Sequence, residues 1–219
     1  MAAPSLVPIP SARGRTMDAL LRAQMPDTRI VAEAGALVRA AFDDRLFHHT
    51  LRTHFLARRY AERFGIRCDP EQLAMACLFH DLGLVAPQYR ADRAFTFSSS
   101  GAMKPFLLAR GWTAARIVPA MEAIDFHMQL LPRWELGETA GLLQVGAWMD
   151  VTGLRSRRLP GAVREARAQF RRGSFFWQFN ACLAGQLVSP RRALGLLAPR
   201  GREPAGHYGC EAHRPCLAA

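Results

Sequence analysis

The 219-residue chain has no apolar run near the roughly 18 residues that a membrane-spanning helix needs, so no membrane partner is expected. It has no Gly-rich phosphate loop and no internal repeat. It also lacks the alternation of apolar and polar residues that marks a half-buried strand. Its five cysteines, Cys68, Cys77, Cys182, Cys210 and Cys216, are odd in number and follow no pattern. Cys77 lies inside an apolar helical run, which suits a reduced interior thiol better than a disulfide framework. In the opening MAAPSLVPIPSARGR, Pro4, Pro8 and Pro10 interrupt the apolar stretch an export signal requires. A cytoplasmic chain is expected. Lysine is almost missing too: of 29 basic residues, Lys104 is the only lysine and the rest are arginines. The formal charge of +11 is scattered in small knots such as Arg155-Ser156-Arg157-Arg158, Arg171-Arg172 and Arg191-Arg192. Such scatter reads as solvated surface and genome composition, not as a nucleic-acid face.

What the chain does have is a hydrophobic content of 50%. That is enough for one domain with a full core. Residues 1–26 are rich in Pro, Ala and Arg and read as a tail or loosely docked segment. From Asp27 the pattern is helical: Ile30, Val31, Ala34, Leu37, Val38 and Ala41 recur at spacings of three and four. A second helix is expected over 45–64, ending at Gly65. The third has the best start signal, with Asp69 as cap, Pro70 at the first position and Gln72 three residues after the cap. Its run from Leu73 to Phe79 is apolar on all sides, which predicts a central, buried helix. Residues 86–100, with Pro87 and Ser98-Ser99-Ser100, read as a loop. Further helices are expected over 101–110, 113–128, 138–152 and 160–188, the last broken near Gly173. From Pro199 the chain reads as a disordered tail. The fold class is all-α.

Two carboxylates stand in unexpected places. Asp81 follows His80 at the end of the apolar MACLFHDLG, and Asp150 ends LLQVGAWMD. A carboxylate at a helix C-terminus opposes the dipole and needs a partner, which a cation would supply. With His49 in the second helix, the set is two imidazoles and two carboxylates from three helices. That mixture suits zinc, manganese or iron at a site with open positions, not a closed thiolate site.

The ordered pieces PDTRIVAEA, HHTLRTH, DPEQLAMACLFHDLGL, AIDFHMQLLP and GAWMDVTG resemble the HD-domain superfamily of metal-dependent hydrolases, and most closely its cyanamide hydratase-like branch. The resemblance spans about residues 25–200. It implies a single HD-domain helical bundle over 27–198 with one divalent metal, zinc first and iron or manganese as alternatives, held by His49, His80, Asp81 and Asp150 between central helices. It also implies that His127 stands beside the metal as a catalytic group. Arg52, three residues after His49 and on the same helix face, then supports an acidic ligand, Asp81 or Asp150.

The chain departs from that branch at several positions. His48 replaces an Asn before the first ligand, Thr50 a Ser after it, and Met128 a Thr after His127. Thr96 in RAFTFSSSGA stands where the branch places a Glu, which makes it a candidate supporting or substrate-binding residue and argues against cyanamide itself as the substrate. The reading that follows is a hydrolase or hydratase acting on a small molecule with a nitrile, amide or related C–N group. Its alternatives are an HD-type phosphohydrolase, an iron-dependent oxygenase and a non-catalytic binding module. The oxygenase is poorly supplied, because His127 is the only histidine between Asp81 and Asp150. His48 and His54 point away from the His49 face and read as surface or supporting residues. His207, Cys210, His213 and Cys216 could form a small zinc site, though a flexible tail is the simpler reading. Phe95, Phe97, Trp112 and Trp134 sit in or near the loops expected to roof the metal, where a few could wall a small apolar pocket, although most large aromatics are core. The oligomeric state is left open.

Overall fold

The computed structural model describes residues 22, 24–85 and 87–209. Among them the chain forms α1 (Arg29–Ala41), α2 (Asp44–Phe64), α3 (Pro70–Phe79), α4 (Phe95–Leu108) and α5 (Ala114–Phe126). It continues through α6 (Glu138–Thr152), α7 (Ala162–Gln169), α8 (Phe175–Leu187) and α9 (Pro190–Leu197). Short 3-10 turns lie at Leu82–Leu84, Trp134–Leu136 and Ser156–Arg158, and no strand occurs among the described residues. The all-α bundle expected from periodicity is the fold observed. No helix of the described residues is long and apolar enough to cross a membrane.

Local signals account for both ends of α2 and the start of α3. Asp43 caps α2 by accepting from the amides of Arg45 (3.1 Å) and Leu46 (2.9 Å). Gly65, at φ 64°, stops it in the left-handed conformation that glycine adopts without strain. Asp69 caps α3 through the amides of Glu71 and Gln72, and Arg116 holds the same carboxylate. Gln72 does not complete a capping box. Its side chain donates to the Arg116 carbonyl and accepts from the Thr139 hydroxyl, tying α3 to α5 and α6.

Every residue of α3 from Leu73 to Phe79 is buried, and α1, α2, α4, α5 and α6 pack around it. Helices α2 and α6 run antiparallel in close contact. A Cβ on Gly146 would fall 2.4 Å from the Thr53 carbonyl oxygen and 3.1 Å from the Ala57 side chain. This approach brings Asp150, one turn after Gly146, level with His49, one turn before Thr53. At the end of α3, a Cβ on Gly83 would lie 2.1 Å from the Phe95 carbonyl oxygen, and the Gly83 amide donates to the Ser99 hydroxyl at 2.8 Å. The His80-Asp81 turn is thereby clamped onto the first turn of α4.

Three expectations need correction. Helix α4 begins at Phe95, so the loop expected over 86–100 is shorter. Ser99 and Ser100, which looked like loop residues, are buried because Gly83 and Asp125 satisfy their hydroxyls. The segment expected to be a disordered tail begins instead by folding back as far as residue 209. There the Tyr208 hydroxyl donates to Asp125 Oδ2 at 2.7 Å, His207 Nε2 lies 2.9 Å from the same oxygen, and Lys104 Nζ donates to the His207 carbonyl. Helix α9 was also unforeseen. The remainder of the N-terminal segment, and Cys210, His213 and Cys216 of the suggested C-terminal cluster, lie outside the described residues. Cys68, Cys77 and Cys182 are free thiols.

Candidate metal centre

His49 comes from α2, His80 from the end of α3 and Asp81 from the turn that follows. His49 Nε2 lies 3.2 Å from His80 Nε2, and both face Asp81 Oδ2, at 3.5 Å and 3.2 Å. One ligand atom from each of the three lies within 4.8 Å of the others, and all three residues are buried. His127, at the C-terminal end of α5, brings its Nε2 to 3.9 Å from Asp81 Oδ1.

The outer nitrogen of each ring explains this convergence. His80 Nδ1 lies 2.7 Å from the Cys77 carbonyl and His127 Nδ1 lies 2.5 Å from the Ile124 carbonyl. A carbonyl can only accept, so each Nδ1 carries the proton, and in the neutral ring the Nε2 lone pair points inward. His49 Nδ1 lies 2.7 Å from Asp150 Oδ2 and is oriented the same way. Asp150 therefore does not converge with the other three residues named as ligands; it stands behind His49. Its carboxylate is gripped by Arg52, which donates from Nε to Oδ1 (2.7 Å) and from Nη2 to Oδ2 (3.0 Å). Arg52 also donates to the carbonyls of Phe170 and Arg171.

The two carboxylates are thus answered differently. Burial raises the Asp150 carboxyl, but His49 and Arg52 outweigh it and hold it far below the ordinary range. Burial acts on Asp81 as well, and the surrounding His80, His49 and His127 bring it down to about 2. Yet neither Asp81 oxygen accepts a hydrogen bond of good geometry, although both are buried. An ionised carboxylate in this position is costly unless a cation shares it. A divalent ion between Asp81 and the lone pairs of His49 and His80 fits the donor chemistry of the site. A proton competes for the same place: burial lowers His80, but the Asp81 charge and the Cys77 carbonyl carry it above its usual value.

The cluster floors a cavity of about 110 Å³ walled by Met128, Ala147, Trp148, Val151, Phe179 and Leu183, with Asn180 and Thr152 as further lining. Of the aromatics expected as a roof, only Phe95 reaches this region, with its ring centroid 5.8 Å from that of His127. Phe97 packs against His207 instead. Trp112 lies beneath the Arg116 guanidinium at the start of α5, roughly 20 Å along the helix from His127. Trp134 covers Gly141 and stacks on Tyr60, roughly 13 Å along α6 from Asp150. Thr96 is fully buried on α4, its hydroxyl has no hydrogen-bond partner, and it does not line the cavity. Trp148, which the sequence did not single out, both lines the cavity and donates its indole N–H to the His127 carbonyl at 2.9 Å. No short motif marks it, because the bond joins residues on two different helices.

His48 lies outside the cluster, against the Arg171 carbonyl. His54 is buried in α2, its Nδ1 has no hydrogen-bond partner, and burial with the nearby Arg58 charge pushes it down to about 3. Its pKa is lower folded than unfolded, so the unfolded chain binds the extra proton. The stability it contributes is complete above about pH 6.5 and is lost as pH falls towards 3, at up to about 1.4 kcal/mol per pH unit. Urea titrations between pH 7.5 and 5.5 should therefore show a flatter loss in His54→Leu than in the parent; parallel curves would refute this assignment.

Residues 46–118 match the family model of the HD domain. The match takes in His49, His80 and Asp81 and supports the HD-domain superfamily, whose members are typically metal-dependent hydrolases. No curated protein matches the chain.

Proposed function

We propose that the HD domain at residues 46–118 makes this chain a metal-dependent hydrolase or hydratase of the cyanamide hydratase-like kind, acting on a small molecule at a C–N group. The observation that carries the reading is Asp81: a buried carboxylate without a hydrogen-bond partner, facing two imidazole lone pairs at the floor of a cavity. His49, His80 and Asp81 would hold the ion, zinc by first choice, with iron or manganese also compatible with this donor set. When bound, such an ion supplies an acidified water and a Lewis acid that polarises the substrate.

The chain's own residues do the rest. Arg52 and Asp150 keep the His49 ring turned inward. Burial and the neighbouring His80 push His127 down to about 4, so it is neutral near pH 7 and its Nε2 can take a proton. In hydration of a nitrile, a C–O bond forms at carbon while His127 takes a proton from water and returns it to nitrogen, giving an imidic acid. The remaining O–H proton then moves to nitrogen, and the product is an amide. Phosphomonoester hydrolysis would call for arginine forks around the substrate. Among the described lining of this cavity there is neither Arg nor Lys. The arginines instead line surface clefts of about 350 Å³ (Arg93, Arg191, Arg202) and about 380 Å³ (Arg59, Arg63, Arg158), whose linings contain no residue of the cluster.

The test is elemental analysis of protein purified without chelator or metal-binding tag, followed by a panel of nitriles, amides and phosphomonoesters. About one divalent ion per chain and turnover on a C–N substrate are expected. His127→Ala should keep the ion and lose about 100- to 10,000-fold in turnover. Full turnover in that variant removes His127 from the chemistry. A chain that takes up no ion overturns the reading altogether, and turnover confined to phosphomonoesters replaces it with the phosphohydrolase alternative.

A further inference from the structure

The end of α5 is gripped from two sides. His127 continues the helix at φ −64° and ψ −21°. It and Asp125, two residues earlier, therefore point about 200° apart around the axis. His127 faces Asp81 and His80. Asp125, fully buried, faces the opposite way, into the segment that follows α9. We infer that residues 199–209 are a strap that holds His127 in register with the metal cluster, and that Asp125 is the positioning residue on which the strap is anchored. The inference rests on the role of His127 proposed above and names what places it.

The anchor is a built seat. Asp125 accepts from Ser100 Oγ of α4 at 2.6 Å and from the Tyr208 hydroxyl at 2.7 Å, and His207 Nε2 lies 2.9 Å from the oxygen that Tyr208 uses. One partner thus comes from the bundle and two from the strap. A carboxylate buried without donors is costly, so the seat favours the docked strap. Lys104, the only lysine of the chain, closes the strap from α4. Its Nζ donates to the carbonyls of Gly206, His207 and Gly209, one for each of its protons.

The grip reaches the site along two short routes. Asp125 lies in the last turn of α5, where the His127 ring is fixed on the Ile124 carbonyl, and Trp148 donates to the His127 carbonyl just beyond. Any rotation of that turn carries His127 Nε2 away from Asp81, and a misplacement of about 1 Å can cost about 100-fold in rate. On the second route the His207 ring stands edge-on to Phe97, with centroids 5.3 Å apart. Phe97 belongs to the small apolar cluster on which the cavity-wall residues Met128 and Leu183 pack. Neither His207 nor Tyr208 lines the cavity. His49, His80 and Asp81 are carried by α2 and by the end of α3, so the strap acts on His127 and leaves the ion in place.

The experiment is the paired substitution His207→Ala, Tyr208→Phe in the full, zinc-loaded chain, with Tyr208→Phe alone standing in if the pair fails to fold. The first readout is the Trp148 indole N–H in ¹H–¹⁵N NMR, which reports whether the His127 carbonyl keeps its place. In the variant it should exchange with solvent at least about tenfold faster, a local opening. The Trp112 indole, buried beneath Arg116 at the other end of α5, should keep its rate. Zinc affinity should be unchanged, and kcat should fall about 10- to 100-fold with KM little altered. Asp125→Leu, which removes the anchor from the other side, should reproduce these changes. Unaltered Trp148 exchange, equal acceleration of both indoles, loss of zinc, or a loosened Trp148 with kcat intact each overturns the inference. A parent that turns over no substrate sinks the hydrolase reading alone, because the Trp148 signal reports the strap without chemistry.

Discussion

In an Asp81→Asn variant the divalent ion is lost, and with it the stability that metal adds to the chain. The buried Asp81 carboxylate has no hydrogen-bond partner at either oxygen and only imidazoles for neighbours. With an ion present it is a ligand of a site that the unfolded chain does not preserve, so binding stabilises the fold. A hundredfold excess over Kd contributes about 2.7 kcal/mol. The parent should show that gain on titration with zinc, and the variant should show none. In chelator the gap narrows: the imidazoles around Asp81 favour its ionised form over the neutral one, and the neutral amide forgoes only that pairing. The chelated variant should therefore melt below the chelated parent, by less than it does in zinc. Metal affinity should fall by more than the roughly 10- to 100-fold that loss of a supporting partner costs. Calorimetric scans in zinc and in chelator, with metal content measured on the same samples, check both halves. A variant that keeps its ion, or is destabilised equally in both conditions, removes Asp81 from the site.

Arg52→Met should be the most destabilising single change near the site. The guanidinium is fully buried, binds both oxygens of Asp150 and donates to two main-chain carbonyls of the segment after α7. Removing it leaves Asp150 charged, buried and at the C-terminal end of α6, where the helix dipole also opposes it. Breaking a buried pair from one side costs about 3–5 kcal/mol. The double variant Arg52→Met, Asp150→Leu should recover most of that loss, because replacing both partners by apolar groups of similar volume is often close to neutral. It should not recover metal affinity, since His49 Nδ1 has lost its acceptor and nothing fixes the ring, at a cost of about 10- to 100-fold. Urea unfolding of the parent and the two variants with parallel zinc titrations separates the two effects. A double variant that binds zinc like the parent would show that Asp150 does not orient His49.

Much of this molecule can be read locally. Asp43, Asp69 with Pro70, and Gly65 act through hydrogen bonds and dihedrals within a few residues of themselves, so the limits of α2 and the start of α3 follow from short-range chemistry. His49, His80 and Asp81 stand out because polar groups in apolar helical runs are expensive, and the order of those groups resembles one superfamily. Other features depend on residues far apart in the chain. Ser98-Ser99-Ser100 looks like a loop until Gly83 and Asp125 are brought to its hydroxyls. The tail from Pro199 looks disordered until Asp125 accepts from Tyr208. Asp81 and Asp150 look alike, each a carboxylate closing an apolar run, and nothing local tells them apart. The packing of Gly146 against Thr53 delivers Asp150 to Arg52, whereas Asp81 faces only imidazoles. Local chemistry determined the limits of α2 and the start of α3 and nominated the polar residues. Tertiary packing decided which carboxylate already has a cation and which one lacks it, because a buried charge is satisfied or left unsatisfied by whatever the rest of the chain brings within about 3 Å of it.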